Sequence, residues 1–163
     1  MSEKSPLDDK KILIVDDEPD VLETLEELLP MCDITKATSF DEAKRLMETR
    51  EFDIAILDIM GVDGYTLLEI ARERNIIAAM LTANALSPED TVKSFEGGAA
   101  YYIPKEEMIN IETYLGDILE AKQEKKHFWT RWLDRFNPYY EKRFGKEWKD
   151  HNEEFWKNFG YWV

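Results

Sequence analysis

The chain has 163 residues, of which 44% are hydrophobic, and a formal net charge of −14. These values favour one packed domain with an appendage over two full domains or a disordered polypeptide. The acidity argues against a general nucleic-acid-binding protein, and the single cysteine excludes an internal disulfide and a metal site built from paired cysteines. The first residues carry no secretory signal and no apolar run approaches the ~20 residues of a membrane span, so we expect a cytoplasmic protein without stable membrane insertion.

Strands and helices are predicted to alternate between residues 10 and 123. Apolar, β-branched runs typical of buried strands lie at Ile12–Val15, Ile34–Ala37, Phe52–Leu57, Ile76–Leu81 and Tyr101–Ile103. The stretches after them carry apolar residues at helical spacing, and they cover Pro19–Leu29, 39–47, Gly64–Arg74, 87–97 and Glu106–Gln123. Ser39 with Glu42 forms a capping-box pattern, and Ser87 before Pro88 is typical of a helix start.

Five strands that each lead into a helix predict an α/β fold with a doubly wound, five-stranded parallel sheet, because parallel neighbours need right-handed crossover connections. We assign residues 10–123 to this domain, residues 1–9 to a flexible N-terminus and residues 124–163 to a helical, aromatic-rich extension. In such sheets the reactive crevice lies at the carboxyl ends of the strands, so the side chains at those positions decide the function.

Five polar side chains stand at the carboxyl ends of the predicted strands: Asp16, Asp17, Asp58, Thr82 and Lys105. Three carboxylates that converge repel one another unless a cation lies between them, and hard oxygen ligands of this number favour Mg²⁺. A lysine and a hydroxyl at the same edge would hold further oxygens of a phosphoryl group. The pattern predicts Asp58 as a nucleophile that becomes an aspartyl-phosphate, with Mg²⁺ and Lys105 neutralising charge during in-line transfer.

Each of these residues also has a simpler explanation when it is taken alone. An acidic pair after a strand is often a solvated helix N-terminus, where negative charge is favourable. Asp58 alone is typical of a turn, Thr82 alone is typical of a strand, and Lys105 alone is an ordinary surface lysine. The functional interpretation therefore depends on all of them falling at the ends of the right strands in the right order.

The segments KILIVDDE, ILD, MLTA and GAAYYIPK resemble the receiver domain of two-component response regulators, over roughly Lys10 to Gln123. The resemblance implies the flavodoxin-like receiver fold with strand order 2-1-3-4-5. It also implies that a histidine kinase or phosphotransfer protein donates a phosphoryl group to Asp58, assisted by Thr82 and Lys105. The implied Mg²⁺ ligands are Asp16, Asp17, Asp58 and the backbone carbonyl of Met60.

The resemblance further implies a switch formed by Thr82 and Tyr102, in which phosphorylation draws Thr82 toward the phosphoryl group and lets Tyr102 turn inward. A core aromatic is the simpler interpretation of Tyr102, and its neighbour Tyr101 competes for the role. Two loops depart from the family pattern. The loop DIMGVDG lacks the usual proline and is at least one residue shorter, and Pro104-Lys105-Glu106 replaces the usual Lys-Pro, so we expect no cis bond there.

The C-terminal extension is basic and aromatic, since residues 125–163 hold nine Lys/Arg, six Asp/Glu and all five Trp. Aromatic stripes at helical spacing predict a pair of helices. The first stripe continues from the fifth helix and contains Trp129, Trp132, Leu133 and Phe136. The second contains Tyr140, Phe144, Trp148, Phe155, Phe159 and Trp162. Asn137-Pro138 predicts a break between the helices, and His127 and His151 are interpreted as surface or interface histidines.

Aromatic stripes of this size must pack on something. Four interpretations remain open from the sequence: a core contact with the chain's own domain, a homodimer through the extension or the helix-five face, a docking surface for another protein, and binding at a membrane surface.

The expected function is that of a response regulator that signals through protein–protein contacts and does not bind nucleic acid. Asp58 is then a phosphoacceptor in a signalling protein and not part of an enzyme, with at most slow autodephosphorylation. One rival is a phosphorylation-independent scaffold or dimerisation protein on the same fold. Another rival is an Asp-nucleophile phosphatase, which is disfavoured because Met60 stands where such enzymes place an acid/base carboxylate.

Overall fold

The computed structural model describes residues 5–83, 87–124 and 129–158, without the side chains of residues 129 and 130. The strands are β1 (Lys11–Val15), β2 (Asp33–Ala37), β3 (Ile54–Asp58), β4 (Ile77–Thr82) and β5 (Tyr101–Pro104). The helices are α1 (Pro19–Leu28), α2 (Phe40–Thr49), α3 (Gly64–Glu73), α4 (Pro88–Glu96), α5 (Ile111–Glu124), α6 (Trp129–Phe144) and α7 (Glu153–Lys157). Short 3₁₀ segments cover Lys105–Asn110 and Asp150–Asn152. A search of the described helices finds none with the length and apolar character of a membrane span.

The five strands form one parallel sheet in the order β2-β1-β3-β4-β5, which confirms the predicted α/β fold and its strand order. All five residues of β3 are buried, as expected for a central strand covered by helices on both faces. The register pairs Asp58 with Leu81 and Thr82 with Pro104, so the carboxyl ends of β3, β4 and β5 lie along one edge.

Local signals explain most helix boundaries. The Ser39 hydroxyl accepts a hydrogen bond from the Glu42 backbone N–H at 3.2 Å, which caps α2 as its sequence pattern predicts. The Ser87 hydroxyl accepts the corresponding bond from Asp90 at 3.0 Å and caps α4. The fifth predicted helix differs, because residues 105–110 form a 3₁₀ segment and the α-helix begins only at Ile111.

The N-terminal segment is packed from Ser5 onward, which differs from the flexible segment expected over residues 1–9. Leu7 is only 1% exposed and belongs to the hydrophobic core. The Leu7 carbonyl accepts a bond from the Cys32 thiol at 3.4 Å, and the Asp9 N–H donates to the Met31 carbonyl at 2.9 Å. Burial of one leucine and two hydrogen bonds therefore hold the described part of this segment against the loop before β2.

The predicted break at Asn137-Pro138 is wrong, because α6 continues through both residues to Phe144. Pro138 has no backbone N–H, so the carbonyl of Asp134 receives no helical hydrogen bond from it. Both residues are exposed, and water can therefore bind this carbonyl. On the opposite side the stripe Trp132, Phe136 and Tyr140 is fully buried. This packing outweighs the local preference for a break, and the helix ends instead before Gly145, at a φ of 92°.

The extension packs on its own sheet domain, on the face formed by α4, β5 and α5. The Phe95 and Trp132 rings lie 4.9 Å apart, and the Phe136 ring lies 5.2 Å from Tyr114 and 6.2 Å from Tyr101. Of the four interpretations left open by the sequence, the structure thus shows the contact with the chain's own domain.

The described residues after α6 fold back over this helix. The Trp148 ring lies 4.6 Å from Tyr140, and Trp156 stacks against Trp132 at 6.1 Å. His151 is exposed, whereas the predicted positions His127, Phe159 and Trp162 lie outside the described residues.

Candidate functional site

Three side chains from three different strands meet at the carboxyl edge of the sheet. Asp16 directly follows β1, Asp58 is the last residue of β3, and Lys105 directly follows β5. The Lys105 ammonium nitrogen lies 2.9 Å from Asp16 Oδ2 and 3.4 Å from Asp58 Oδ1. The parallel topology thus brings together the acidic and basic residues that the sequence places at the strand ends.

Burial dominates the electrostatics of Asp16. Its side chain is inaccessible to solvent, and this burial raises the pKa of the carboxyl, although Lys105 and the Glu18 backbone N–H lower it in part. The Glu18 N–H donates to Asp16 Oδ1 at 2.9 Å. Asp16 Oδ2 is paired with Lys105 but receives no well-directed hydrogen bond from the described residues. This buried oxygen therefore has unused capacity to accept a hydrogen bond or to coordinate a cation.

Lys105 is held as a cation by several carboxylates. Burial lowers the pKa of its ammonium group, but the close approach to the Asp16 carboxylate, the hydrogen bond to Glu18 and the charge of Asp58 together outweigh that effect and raise the pKa. Glu18 Oε1 lies 2.9 Å from the ammonium nitrogen. Sequence reasoning did not select Glu18, because an acidic residue after an acidic pair carries no distinguishing spacing.

The loop after β3 approaches the acidic residues closely. The Gly61 N–H donates to Asp58 Oδ2 at 3.2 Å. A Cβ on Gly61 would lie 2.3 Å from the Asp17 carboxylate, so the Asp17 side chain would have to move if residue 61 were not glycine. Met60 is 67% exposed at the rim of the same site, and the role of its carbonyl stays a prediction.

The site encloses a cavity of about 350 Å³, lined by Asp17, Glu18, Asp58, Met60, Gly61, Ala83 and Lys105. Beside it, oxygens of Asp16, Asp17 and Glu18 all lie within 4.8 Å of one another. A set of hard carboxylate oxygens with one buried, poorly satisfied member fits a divalent cation such as Mg²⁺. This group contains two of the predicted Mg²⁺ ligands, Asp16 and Asp17, together with Glu18, and the ligand role of Asp58 stays a prediction.

The two candidate switch residues are both buried, at 1% exposure for Thr82 and 0% for Tyr102. Neighbouring strand residues point to opposite faces, and accordingly Tyr102 and Tyr101 have different surroundings. Tyr102 interacts with Thr91 and the Ser87 backbone beside α4, whereas the Tyr101 hydroxyl donates to Asp117 Oδ2 at 2.9 Å. Burial raises the pKa of both phenols. Tyr102 is thus the tyrosine of the pair that faces α4, and its switch role stays a prediction.

The structure covers both loops that depart from the family pattern. Among the described residues there is no cis peptide bond, in agreement with the expectation for Pro104-Lys105. In the shortened loop, Asp63 adopts a left-handed conformation at φ 53° and leads into α3. Gly64 then lies so close to Asp58 that a Cβ on Gly64 would be 2.3 Å from the Asp58 carbonyl oxygen.

Comparison with known proteins identifies the family of this fold. A family model described as response regulator receiver domain matches residues 12–113. The two-component response regulator ARR18 of Arabidopsis thaliana is 35% identical over 101 residues, which cover 58% of this chain and 16% of that protein. The alkaline phosphatase synthesis transcriptional regulatory protein PhoP of Bacillus subtilis is 33% identical over 101 residues, which cover 59% of this chain and 42% of that protein.

The matched region is therefore less than half of either relative. Among solved structures, a CheY-like response regulator receiver domain protein from Methanospirillum hungatei JF-1 superposes with a TM-score of 0.65 and 28% identity, covering 72% of this chain and 98% of that chain. The family match contains every candidate site residue, and the aromatic extension lies beyond it. With sheet order, strand-end residues and family model in agreement, the chain belongs to the response regulator receiver domain family of two-component systems.

Proposed function

We propose that Asp58 accepts a phosphoryl group from a histidine kinase or phosphotransfer protein in a Mg²⁺-dependent reaction. The observation that supports it most directly is the 3.4 Å approach of the Lys105 ammonium to Asp58 Oδ1 beside the acidic cluster. The residues that would hold Mg²⁺ are Asp16, Asp17, Asp58 and the Met60 carbonyl. When bound, the ion would neutralise charge on the phosphoryl oxygens.

The transfer forms one bond and breaks one. An Asp58 carboxylate oxygen attacks the phosphorus, and the bond from phosphorus to the donor breaks, so its electron pair leaves with the donor. Lys105 offers its positive charge to the phosphoryl oxygens, and Thr82 offers a hydroxyl at the end of the neighbouring strand. Asp58 is thus a stoichiometric acceptor, and Met60 supplies no second carboxylate for rapid turnover.

We further propose that the phosphorylated protein signals through protein contacts in the cytoplasm. The charge of −14 supports an output without nucleic-acid binding, because phosphate contacts need basic surface. PhoP is named a transcriptional regulatory protein, but the similarity covers 42% of it. The extension after residue 124 lies beyond the residues that the family model matches.

The test is phosphorylation of the full chain by acetyl phosphate, measured as added mass by intact-protein mass spectrometry. We expect one phosphoryl group per chain with Mg²⁺, none when the metal is chelated, and none in Asp58→Asn. Asp33→Asn is the matched control and should behave like the native chain. It removes an exposed carboxylate from the amino end of β2, at the edge of the sheet opposite to Asp58. A native chain that gains no phosphoryl group would contradict the proposal.

A phosphorylation-independent scaffold is the second candidate, and the burial of Trp132, Phe136 and Tyr140 against the sheet domain favours it. This candidate predicts that phosphorylation leaves the oligomeric state and partner binding unchanged. Size-exclusion chromatography with light scattering, with and without Mg²⁺ and fluoroberyllate, separates the two candidates, with Asp58→Asn as control.

A further inference from the structure

The last turns of α6 reach the segment that carries Lys105. Tyr139 donates a hydrogen bond from its hydroxyl to Glu106 Oε1. The Arg143 guanidinium lies 3.3 Å from the same oxygen. Glu106 directly follows Lys105 in the sequence. Arg143 of the extension therefore pairs with the residue next to Lys105.

Arg143 also lines a space that adjoins the site. A small cavity of about 180 Å³ is lined by Thr82, Ala83, Pro104, Lys105, Glu106 and Arg143. Two of these residues, Ala83 and Lys105, also line the larger cavity that contains Asp58. Arg143 therefore lines a cavity that shares two wall residues with the cavity containing Asp58.

The balance of charges around Lys105 and Asp58 indicates the effect of a second cation near the site. The Lys105 ammonium shares the site with four carboxylates, which belong to Asp16, Asp17, Glu18 and Asp58. Glu106 adds a fifth negative charge one residue along the chain. A phosphoryl group adds about two more. Arg143 offsets the charge of Glu106 and lowers the electrostatic cost of bringing a phosphoryl group to this edge.

Contacts away from the site hold α6 in place, so the position of Arg143 does not depend on Glu106. The Trp132 indole N–H donates to the Tyr102 carbonyl at 2.7 Å. The hydroxyl oxygens of Thr91 and Tyr140 lie 2.6 Å apart in a buried contact. A variant at Arg143 should therefore change the local charge without releasing the helix.

We propose that Arg143 of the extension acts as a second cation for phosphorylation of Asp58, by offsetting the negative charge of Glu106 beside Lys105. The inference rests on the proposed function and adds to it an electrostatic link between the extension and the acceptor.

The test compares the rate of phosphorylation by acetyl phosphate and Mg²⁺ in four full-length chains: native, Arg143→Gln, Arg143→Lys and Lys142→Gln. We expect Arg143→Gln to slow the reaction about twofold to fivefold, as for a solvent-exposed charge pair. Arg143→Lys should restore most of the rate. Lys142→Gln, which removes the same charge from the adjacent exposed position, should stay near the native rate.

Two further measurements separate an electrostatic role from a mechanical one. The difference between native and Arg143→Gln should shrink at about 1 M salt, where the screening length falls to ~3 Å. Glu106→Gln should not slow the reaction, because it removes a negative charge. Equal slowing by Glu106→Gln and Arg143→Gln would overturn the proposal, and so would equal rates in Arg143→Gln and Lys142→Gln. If the native chain accepts no phosphoryl group at all, the proposed function itself fails.

Discussion

At the residue scale, Gly64 shows how closely the loop after β3 packs against the backbone of Asp58. A Cβ at this position would lie 2.3 Å from the Asp58 carbonyl oxygen and 2.8 Å from the Ile59 Cα, and both are backbone atoms that cannot move alone. We predict that Gly64→Ala lowers the free energy of unfolding by about 1–3 kcal/mol, measured by urea denaturation, because the loop must shift to relieve the clash.

Gly116→Ala is the matched control for that substitution. Gly116 lies inside α5, and a Cβ there would meet nothing within 4 Å. Alanine should therefore stabilise the helix by roughly 0.5–1 kcal/mol relative to glycine. Equal stability of Gly64→Ala and Gly116→Ala would contradict the described path of the loop.

Cys32 gives a pH-dependent prediction about the N-terminal segment. Burial raises the pKa of its thiol from 9.0 to about 11. Since only the thiolate reacts, alkylation by iodoacetamide at pH 8 should be ~100-fold slower in the native chain than in the unfolded chain, and should accelerate as the pH approaches 11. The raised pKa also means that this thiol contributes stability below pH 9 and loses that contribution as the pH rises through 11.

Leu7→Ala provides the comparison for the alkylation experiment. It removes the buried side chain that holds the segment whose Leu7 carbonyl accepts the hydrogen bond of the thiol, so it should speed the reaction. A native thiol that reacts at pH 8 as fast as the unfolded chain would show that the segment from Ser5 to Asp9 does not cover Cys32.

At the element scale, one buried carboxylate ties α5 to α6. Asp117 is 4% exposed, and Arg135 donates to it from Nη2 at 3.0 Å and also from Nε. We predict that Arg135→Gln lowers the free energy of unfolding by about 1–3 kcal/mol, because it removes charge-assisted hydrogen bonds from a buried acceptor. Lys142→Gln, at an exposed position of the same helix, should change it by less than about 0.5 kcal/mol.

A double-mutant cycle checks the assignment to this pair. Asp117→Asn removes the charge that Arg135 satisfies, so the combined variant should cost less than the sum of the single variants. Strict additivity would mean that the two side chains do not interact in solution.

The elements also show which features the sequence could predict. The meeting of Asp16, Asp58 and Lys105 is predictable, because parallel strands place their carboxyl ends on one edge. The course of α6 through Pro138 is not predictable from the local proline rule, because burial of the aromatic stripe on the opposite side decides it. The contacts of Glu106 with the extension are not predictable from local sequence either, since 37 residues separate Glu106 from Arg143.

At the scale of the whole molecule, α6 serves as the cover of the face formed by α4, β5 and α5. Removing residues 124–163 would expose Phe95, Tyr101 and Tyr114, which now pack against α6. We predict that the truncated chain associates or unfolds at a lower urea concentration, because a large apolar patch then faces water. Size-exclusion chromatography with light scattering measures the association of the truncated chain. A truncated chain that stays monomeric and as stable as the full chain would contradict the packing of α6.

The central claim is that residues from separate strands make Asp58 an acceptor of a phosphoryl group. The most direct measurement reduces the phosphorylated chain with borohydride, which converts an aspartyl-phosphate to homoserine, and maps the change by peptide mass spectrometry. The account predicts conversion at residue 58 alone, only when Mg²⁺ is present during phosphorylation. Conversion at another acidic residue, or no conversion in a fully folded native chain, would contradict it.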